Sequence, residues 1–282
     1  MLEILKAVLF GVVEGITEWL PISSTGHMIL LNEFVKLDVS ADFWDMFLVV
    51  IQFGAILAVI LLYWKTIWPL GIYRHRKRTR IIWKKDTLNL WGKTIVACIP
   101  AAIVGVLLDD WLDEHLYNWL VVAIMLIVVG IAFLIVENTQ KDREPVTTEL
   151  KDLSMRQALI IGLFQLIAAV FPGTSRSGAT IIGGLMIGVS RTVAAEFTFI
   201  LAIPVMAGAS LLKMLKFGFH FTGMEAAILG TGMTVAFVVS IVVIRFLMGY
   251  IRKHDFKPFG WYRIVLGALV IVYFGLVRGG AL

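Results

Sequence analysis

The sequence predicts an all-α polytopic membrane protein with six transmembrane helices and two re-entrant helical hairpins, arranged as an inverted-topology repeat. Three observations predict it: an apolar composition, six long apolar runs, and two proline-broken segments that match each other. Of 282 residues, 59% are hydrophobic and 16% charged, with a mean hydropathy of +0.89. A soluble domain of this length needs more polar surface than that. Runs near 43–64, 90–108, 119–136, 192–212, 223–248 and 259–277 are each long enough, at about 1.5 Å per residue, to cross roughly 30 Å of hydrocarbon.

The first segment, MLEILKAVLFGVVEGITEWL, spreads Glu3, Lys6, Glu14 and Glu18 through its apolar residues and offers no small-residue cleavage site, so it is expected to stay in the protein. After the run at 43–64 comes a loop, 65–89, crowded with Arg74, Arg76, Lys77, Arg78, Arg80, Lys84 and Lys85. Beside spanning helices such a cluster is explained by the positive-inside rule, and nucleic acid is excluded as a partner. With that loop cytoplasmic, 90–108 runs outward to the turn DDWLDEHLYN and 119–136 returns to the cytoplasm. The run at 192–212 then leaves from Arg191, 223–248 comes back to Arg252, Lys253 and Lys257, and 259–277 exits, leaving the C-terminus outside. Trp19, Trp44, Trp64 and Trp68 suit an interfacial aromatic belt. The single cysteine, Cys98, excludes an intramolecular disulfide and a cysteine-based metal site.

Segments 1–35 and 153–188 are apolar stretches broken midway by proline, glycine and hydroxyl residues. Irregular backbone at membrane depth survives only where protein buries it or a watery cavity solvates it, so each break is a candidate site. Laying GVVEGITEWLPISSTGH (11–27) over GLFQLIAAVFPGTSRSG (162–178) at a shift of 151 matches Gly11 with Gly162, Glu14 with Gln165, Pro21 with Pro172 and Ser24 with Ser175. The chain is read as one membrane domain, 1–282, with repeat 1 over about 1–108 and repeat 2 over about 153–248. Three spans separate the two hairpins, an odd number, which inverts the second copy. Inverted repeats bring their broken helices together near the midplane, where helix N-termini face an anion. Proline ahead of hydroxyl residues marks a helix start, capped by Ser23, Ser24 or Thr25 in the first tip and by Thr174 or Ser175 in the second.

Glu14 and Glu18 are spaced i, i+4 and share one helix face. Carboxylates at this depth call for a partner or a task. They are read as a divalent-cation site or an acid–base pair; the structural alternative is that one pairs with Arg176 or His27. Hard cations such as Mg²⁺ favour carboxylates together with phosphate oxygens. His27 follows Ser24 by three positions and Ser23 by four, within reach of either hydroxyl, and a serine is a weak nucleophile until a base takes its proton. In the second tip, PGTSRSGAT (172–180), the planar fork of Arg176 suits a phosphate, and Ser175, Ser177 and Thr180 complete an anion cradle. The glycines do not form a nucleotide-binding P-loop, which needs Gly-Lys-Ser/Thr.

EGITEWLPISSTGH together with PGTSRSGAT resembles the paired signature of the undecaprenyl pyrophosphate phosphatases of the bacitracin-resistance (BacA/UppP) family. The likeness runs along essentially the whole chain, including FLVVIQFGAILAV and GVSRTVAAEFTFILAIP. The resemblance implies a bacterial plasma-membrane enzyme that hydrolyses undecaprenyl diphosphate to the monophosphate, recycles the lipid carrier of peptidoglycan synthesis and lowers bacitracin sensitivity. It further implies dependence on a divalent cation, Mg²⁺ or Ca²⁺, an active site opening to the extracytoplasmic side, and often a homodimer. By position, Glu14 and Glu18 match the family's glutamate pair, also its metal ligands, Ser24 the nucleophile and His27 the base. Arg176 matches the phosphate-binding arginine, with Ser175, Ser177, Thr180, Thr25 and Ser23 around it.

The mechanism expected from these residues has Ser24 attack the terminal phosphorus while His27, oriented by Glu14, removes its proton and Glu18 helps hold the metal. Direct attack by water, with Ser24 as a ligand only, is the open alternative. A rival function is a transporter or flippase of a prenyl phosphate lipid, because inverted repeats with broken helices are a transporter architecture. Transport needs an anion grip but no nucleophile with a base.

Overall fold

The computed structural model describes residues 1–75 and 78–277. In chain order the helices are α1 (Leu2–Thr17), α2 (Ser24–Phe34), α3 (Ala41–Leu62), α4 (Trp64–Ile67), α5 (Lys85–Leu116), α6 (Trp119–Thr139), α7 (Met155–Val170), α8 (Arg176–Met186), α9 (Arg191–Phe217), α10 (Gly223–Ile251) and α11 (Lys257–Val272). A π-helical turn, Tyr273–Val277, extends the last of these. Six helical stretches among the described residues are long and apolar enough to span a bilayer, in α3, α5, α6, α9, α10 and α11, matching the six apolar runs. Polar caps set their starts: Ser40, Asn118, Ser190 and Thr222 each accept a hydrogen bond from the backbone N–H three residues on, filling one of the unsatisfied donors of the first turn.

Two connections differ from the sequence reading. Loop 65–89 contains α4 and a β-hairpin in which Leu70–His75 (β1) pairs antiparallel with Arg78–Trp83 (β2), Leu70 opposite Trp83. Its charges mark it as a loop between spans, within which Ile72, Tyr73, Thr79, Ile81, Ile82 and Trp83 are strand formers. Arg76 and Lys77 of the basic cluster, and the C-terminal end placed outside by the topology, fall outside the described residues. The expected turn at 109–118 is mostly helix: α5 continues to Leu116, and the chain reverses at Tyr117 and Asn118. Acidic side chains do not stop a helix once it has left the bilayer; a capping residue for the next one does.

The broken segments are helix pairs of equal lengths. Helices α1 and α7 have 16 residues each, and α2 and α8 have 11 each. Helix α1 packs along α10 and α7 along α5. Gly11 and Gly162 make these approaches possible. A Cβ at Gly11 would sit 2.7 Å from the Gly232 carbonyl oxygen, and one at Gly162 would sit 2.3 Å from that of Ala97. Helices α6 and α11 form a second closely packed pair. The central core joins Trp19, Phe133, Phe199 and Phe256 beneath the breaks. Trp19 is thus no interfacial residue: it is fully buried, edge-on to Phe199 at 5.3 Å.

A buried carboxylate that the sequence reading passed over ties three elements together at the other end of this core. Glu137 of α6 accepts from the Arg191 guanidinium at the start of α9 and from the Phe256 backbone N–H ahead of α11. Its charge is fully partnered, as a carboxylate 1% exposed requires.

Candidate active site

Both breaks end in the same backbone device. Among the described residues, Ser23 at φ 74° and Ser175 at φ 69° are the two non-glycine positions with positive φ. Each immediately precedes a helix, and each side chain accepts from a backbone N–H three residues on, Gly26 in one case and Gly178 in the other. A left-handed serine costs of order 1 kcal/mol or more and persists only where its surroundings demand it. Here it turns the chain sharply enough to start a helix at the break. This match shifts the alignment by one residue after the prolines. Ser23, not Ser24, corresponds to Ser175, so Ser24 and Arg176 occupy equivalent positions as first residues of α2 and α8. His27 then corresponds to Ala179.

The two tips meet. Glu18, which closes α1, receives the Arg176 guanidinium on Oε1 at 3.0 Å and the Ser24 hydroxyl on Oε2 at 2.8 Å. Arg176 also donates to the Thr198 carbonyl at 2.9 Å, and its carbon lies 5.9 Å from the centre of the Trp19 ring. Ser177 Oγ donates to the Glu18 carbonyl at 3.1 Å and lies 3.1 Å from Ser175 Oγ. Glu18 and Arg176 side chains are 6% and 12% exposed, so this charge pair works in a low-dielectric setting where losing either partner would strand the other.

Of the residues singled out in the sequence, Glu18, Ser24, Arg176 and Ser177 are therefore brought together. Glu14 lies one turn back, 1% exposed, with Oε1 making no hydrogen bond. Thr180 is committed to the fold, donating to the Arg176 and Ser177 carbonyls and accepting from Thr198. Ser23 and Ser175 are caps, and Thr25 is half-buried in the first turn of α2. The expected contact between His27 and Ser24 is not made. His27 Nδ1 lies 2.7 Å from the Ser23 carbonyl and Nε2 lies 2.7 Å from the Tyr262 hydroxyl, so neither Ser24 nor Glu14 is its partner. The i, i+4 spacing that suggested a serine hydroxyl delivers the ring to the backbone carbonyl instead.

The residue that holds the tips was missed. Arg263, on α11 and fully buried, donates to the Pro21 carbonyl of the first break at 3.2 Å and to the Gly173 and Thr174 carbonyls of the second at 2.8 and 2.9 Å. It also reaches Leu126 and Met125 of α6. Each carbonyl it binds lies where helix geometry or a break leaves acceptor capacity open. The signal was present: an arginine in FGWYRIVLGALV, inside an apolar span, is expensive unless it has a function.

A divalent cation fits these donors. No group of three or more His, Cys, Asp or Glu side chains gathers among the described residues, so an all-protein cage is not on offer. Mg²⁺ prefers one or two carboxylates with water and substrate phosphate oxygens, and Glu14 supplies a buried oxygen without a partner beside Glu18.

Comparison with known proteins agrees with the resemblance. The family model described as bacitracin resistance protein BacA matches residues 7–269. The chain is 60% identical to a Desulfitobacterium hafniense protein named undecaprenyl-diphosphatase, over 97% of each chain. It is 58% identical to one of the same name from Enterococcus faecalis, over 96% of this chain and 97% of that one. A third, from Lactiplantibacillus plantarum, is 54% identical over 99% of this chain and the whole of that one.

Proposed function

The chain belongs to the bacitracin resistance protein BacA family, and on that premise we propose that it is an integral membrane lipid phosphatase that hydrolyses undecaprenyl diphosphate to undecaprenyl phosphate and inorganic phosphate. The reaction regenerates the lipid carrier of peptidoglycan synthesis and underlies bacitracin resistance. The observation that carries the reading is the run Ser24–Glu18–Arg176 across the two tips: a hydroxyl, a carboxylate that accepts its hydrogen bond, and a guanidinium that suits a phosphate. A flippase would need the guanidinium but not the hydroxyl on a carboxylate, and that rival is set aside.

Ser24 Oγ attacks the terminal phosphorus, its proton passes to Glu18 Oε2, and the bond to the bridging oxygen breaks, releasing undecaprenyl phosphate. The leaving oxygen belongs to a phosphate and departs as an anion without an acid. Arg176 leaves Glu18 for the phosphoryl oxygens as the carboxylate is neutralised, and the N-terminal amides of α2 and α8 face the same charge. In the second half a water attacks the phosphoserine, giving a proton to His27 Nε2, which releases it to solvent as phosphate leaves, while Ser24 recovers its proton from Glu18. This assignment changes the expected roles: Glu18 is the base for Ser24, and His27 serves the water. A bound Mg²⁺ or Ca²⁺ on Glu14, with Glu18 beside it, would neutralise charge on the diphosphate oxygens.

Purified protein given substrate labelled in the terminal phosphate is expected to release phosphate only with a divalent cation present. Rapid quenching is expected to trap label on Ser24, and Ser24→Ala to lose both label and turnover. Near-parental turnover in Ser24→Ala would leave water as the nucleophile.

The inverted repeat over about 1–108 and 153–248 belongs to the same reading, supported by the equal helix lengths, the paired left-handed serines and the packing of α1 along α10 and of α7 along α5. So do a bacterial plasma-membrane location, a site opening outward, and a homodimer. Cysteines introduced at exposed Ser40 and His115, in a Cys98→Ser background, are expected to react with an impermeant reagent on intact cells. Protection of both overturns the outward assignment.

A further inference from the structure

We propose that Tyr262 is a positioning residue acting through His27: its phenol holds the one basic nitrogen of the imidazole until the attacking water takes its place. The inference rests on the role given to His27 above. A backbone carbonyl only accepts, so the contact between Nδ1 and the Ser23 carbonyl at 2.7 Å places a proton on Nδ1. In the neutral ring Nε2 then carries the lone pair, and the Tyr262 hydroxyl at 2.7 Å is its donor. The two rings are within 3° of parallel with centroids 5.6 Å apart. Parallel rings with centroids this far apart meet at their edges, which is where Nε2 and the hydroxyl lie.

The mounting of Tyr262 differs on its two sides. Its neighbour Arg263 is fully buried and bonded to both tips, so the backbone at this turn of α11 is fixed relative to Ser24 and Arg176. Tyr262 itself is 45% exposed, so its phenol is not locked in place by packing as the Arg263 side chain is. A phenol gives way to an incoming water at little cost, because the water donates to the nitrogen in its place. Until that water arrives, the bond keeps the imidazole in one tautomer and one orientation, with the basic nitrogen covered. Phenylalanine would keep the ring and its packing but could do neither.

Tyr262→Phe is expected to lower kcat about tenfold, the effect of one lost orienting hydrogen bond, with KM changed less than about twofold. The same substitution in a His27→Ala background is expected to have no further effect, because residues that act as a unit are non-additive. With ¹⁵N-labelled histidine, the Nε2 resonance of His27 is expected to move in Tyr262→Phe while Nδ1 stays protonated. An unchanged kcat, an equal loss in both backgrounds, or an unmoved resonance overturns the proposal. If His27→Ala keeps full turnover, the role of His27 falls and this inference with it. If His27→Ala is impaired and the two losses multiply, only the part given to Tyr262 falls.

Discussion

Replacing Glu18 by glutamine is expected to lower kcat by about a thousandfold, within the range found when a positioned proton acceptor is removed. The amide keeps the size of the carboxylate and its oxygen can still accept from Ser24 or Arg176, so the fold should survive, with a lowered apparent melting temperature because the buried guanidinium loses its counter-charge. What it lacks is a place for the Ser24 proton and the charge that holds the guanidinium at rest. The loss should therefore appear in single-turnover rates of phosphoserine formation. Glu14→Gln, one turn away, should instead raise the cation concentration needed for half-maximal rate. A Glu18→Gln enzyme working within tenfold of the parent would return the first proton transfer to another group, and would remove the main reason for placing the chemistry between the two tips.

The second large effect belongs to a residue that touches no substrate. Arg263→Met is expected to cut turnover at least about a hundredfold, since misplacing reacting groups by an ångström is enough to do so. It also strands the carbonyls of Pro21, Gly173 and Thr174 at the two breaks, whereas those of Met125 and Leu126 keep their helical partners within α6. Unsatisfied buried acceptors cost about 1–3 kcal/mol each, partly offset because a buried cation is no longer needed, so a net loss of about 3 kcal/mol is reasonable. For a chain of this size that is a fall of roughly 6–12 °C in apparent melting temperature. Arg263→Lys separates charge from geometry: it keeps the cation but reaches fewer carbonyls, and should sit between parent and methionine in both measurements. Turnover is compared well below the lowered melting temperature. Parental values for melting and turnover in Arg263→Met would show that the tips are set without it.

How much of this was readable in advance follows from the range of each interaction. The spans were legible because hydrocarbon thickness sets a length that twenty apolar residues reveal locally. The breaks were legible because Pro21 and Pro172, each followed within a few residues by serine, interrupt otherwise helical apolar runs. The β-hairpin at Leu70–Trp83 was hidden by its charge, which dominates composition while the strand-forming residues between the charges decide the local structure. The pairing of Glu18 with Arg176 crosses 158 positions, and was visible only as the structural alternative to metal binding. Equivalence of Ser24 and Arg176 was obscured by the single residue of slippage at the prolines, which a constant shift cannot represent. His27 was placed correctly in the tip but on the wrong partner, because spacing along a helix does not say whether a ring will take a side chain or the chain itself.

The position of Arg263 along the chain has a consequence for biosynthesis. A polypeptide is made from its N-terminus, and its earlier parts organise before later ones emerge. Every carbonyl that the guanidinium binds, on both tips and on α6, precedes it in the chain. Alone in a bilayer, α11 carries an arginine near the start of its apolar run with nothing to accept its protons. It therefore has a stable seat only once the rest of the protein has been inserted, and its docking is the event that fixes the two tips against each other. Catalytic competence is in this sense the last property the nascent chain acquires, and a ribosome stalled before residue 263 leaves an inserted protein without a working site.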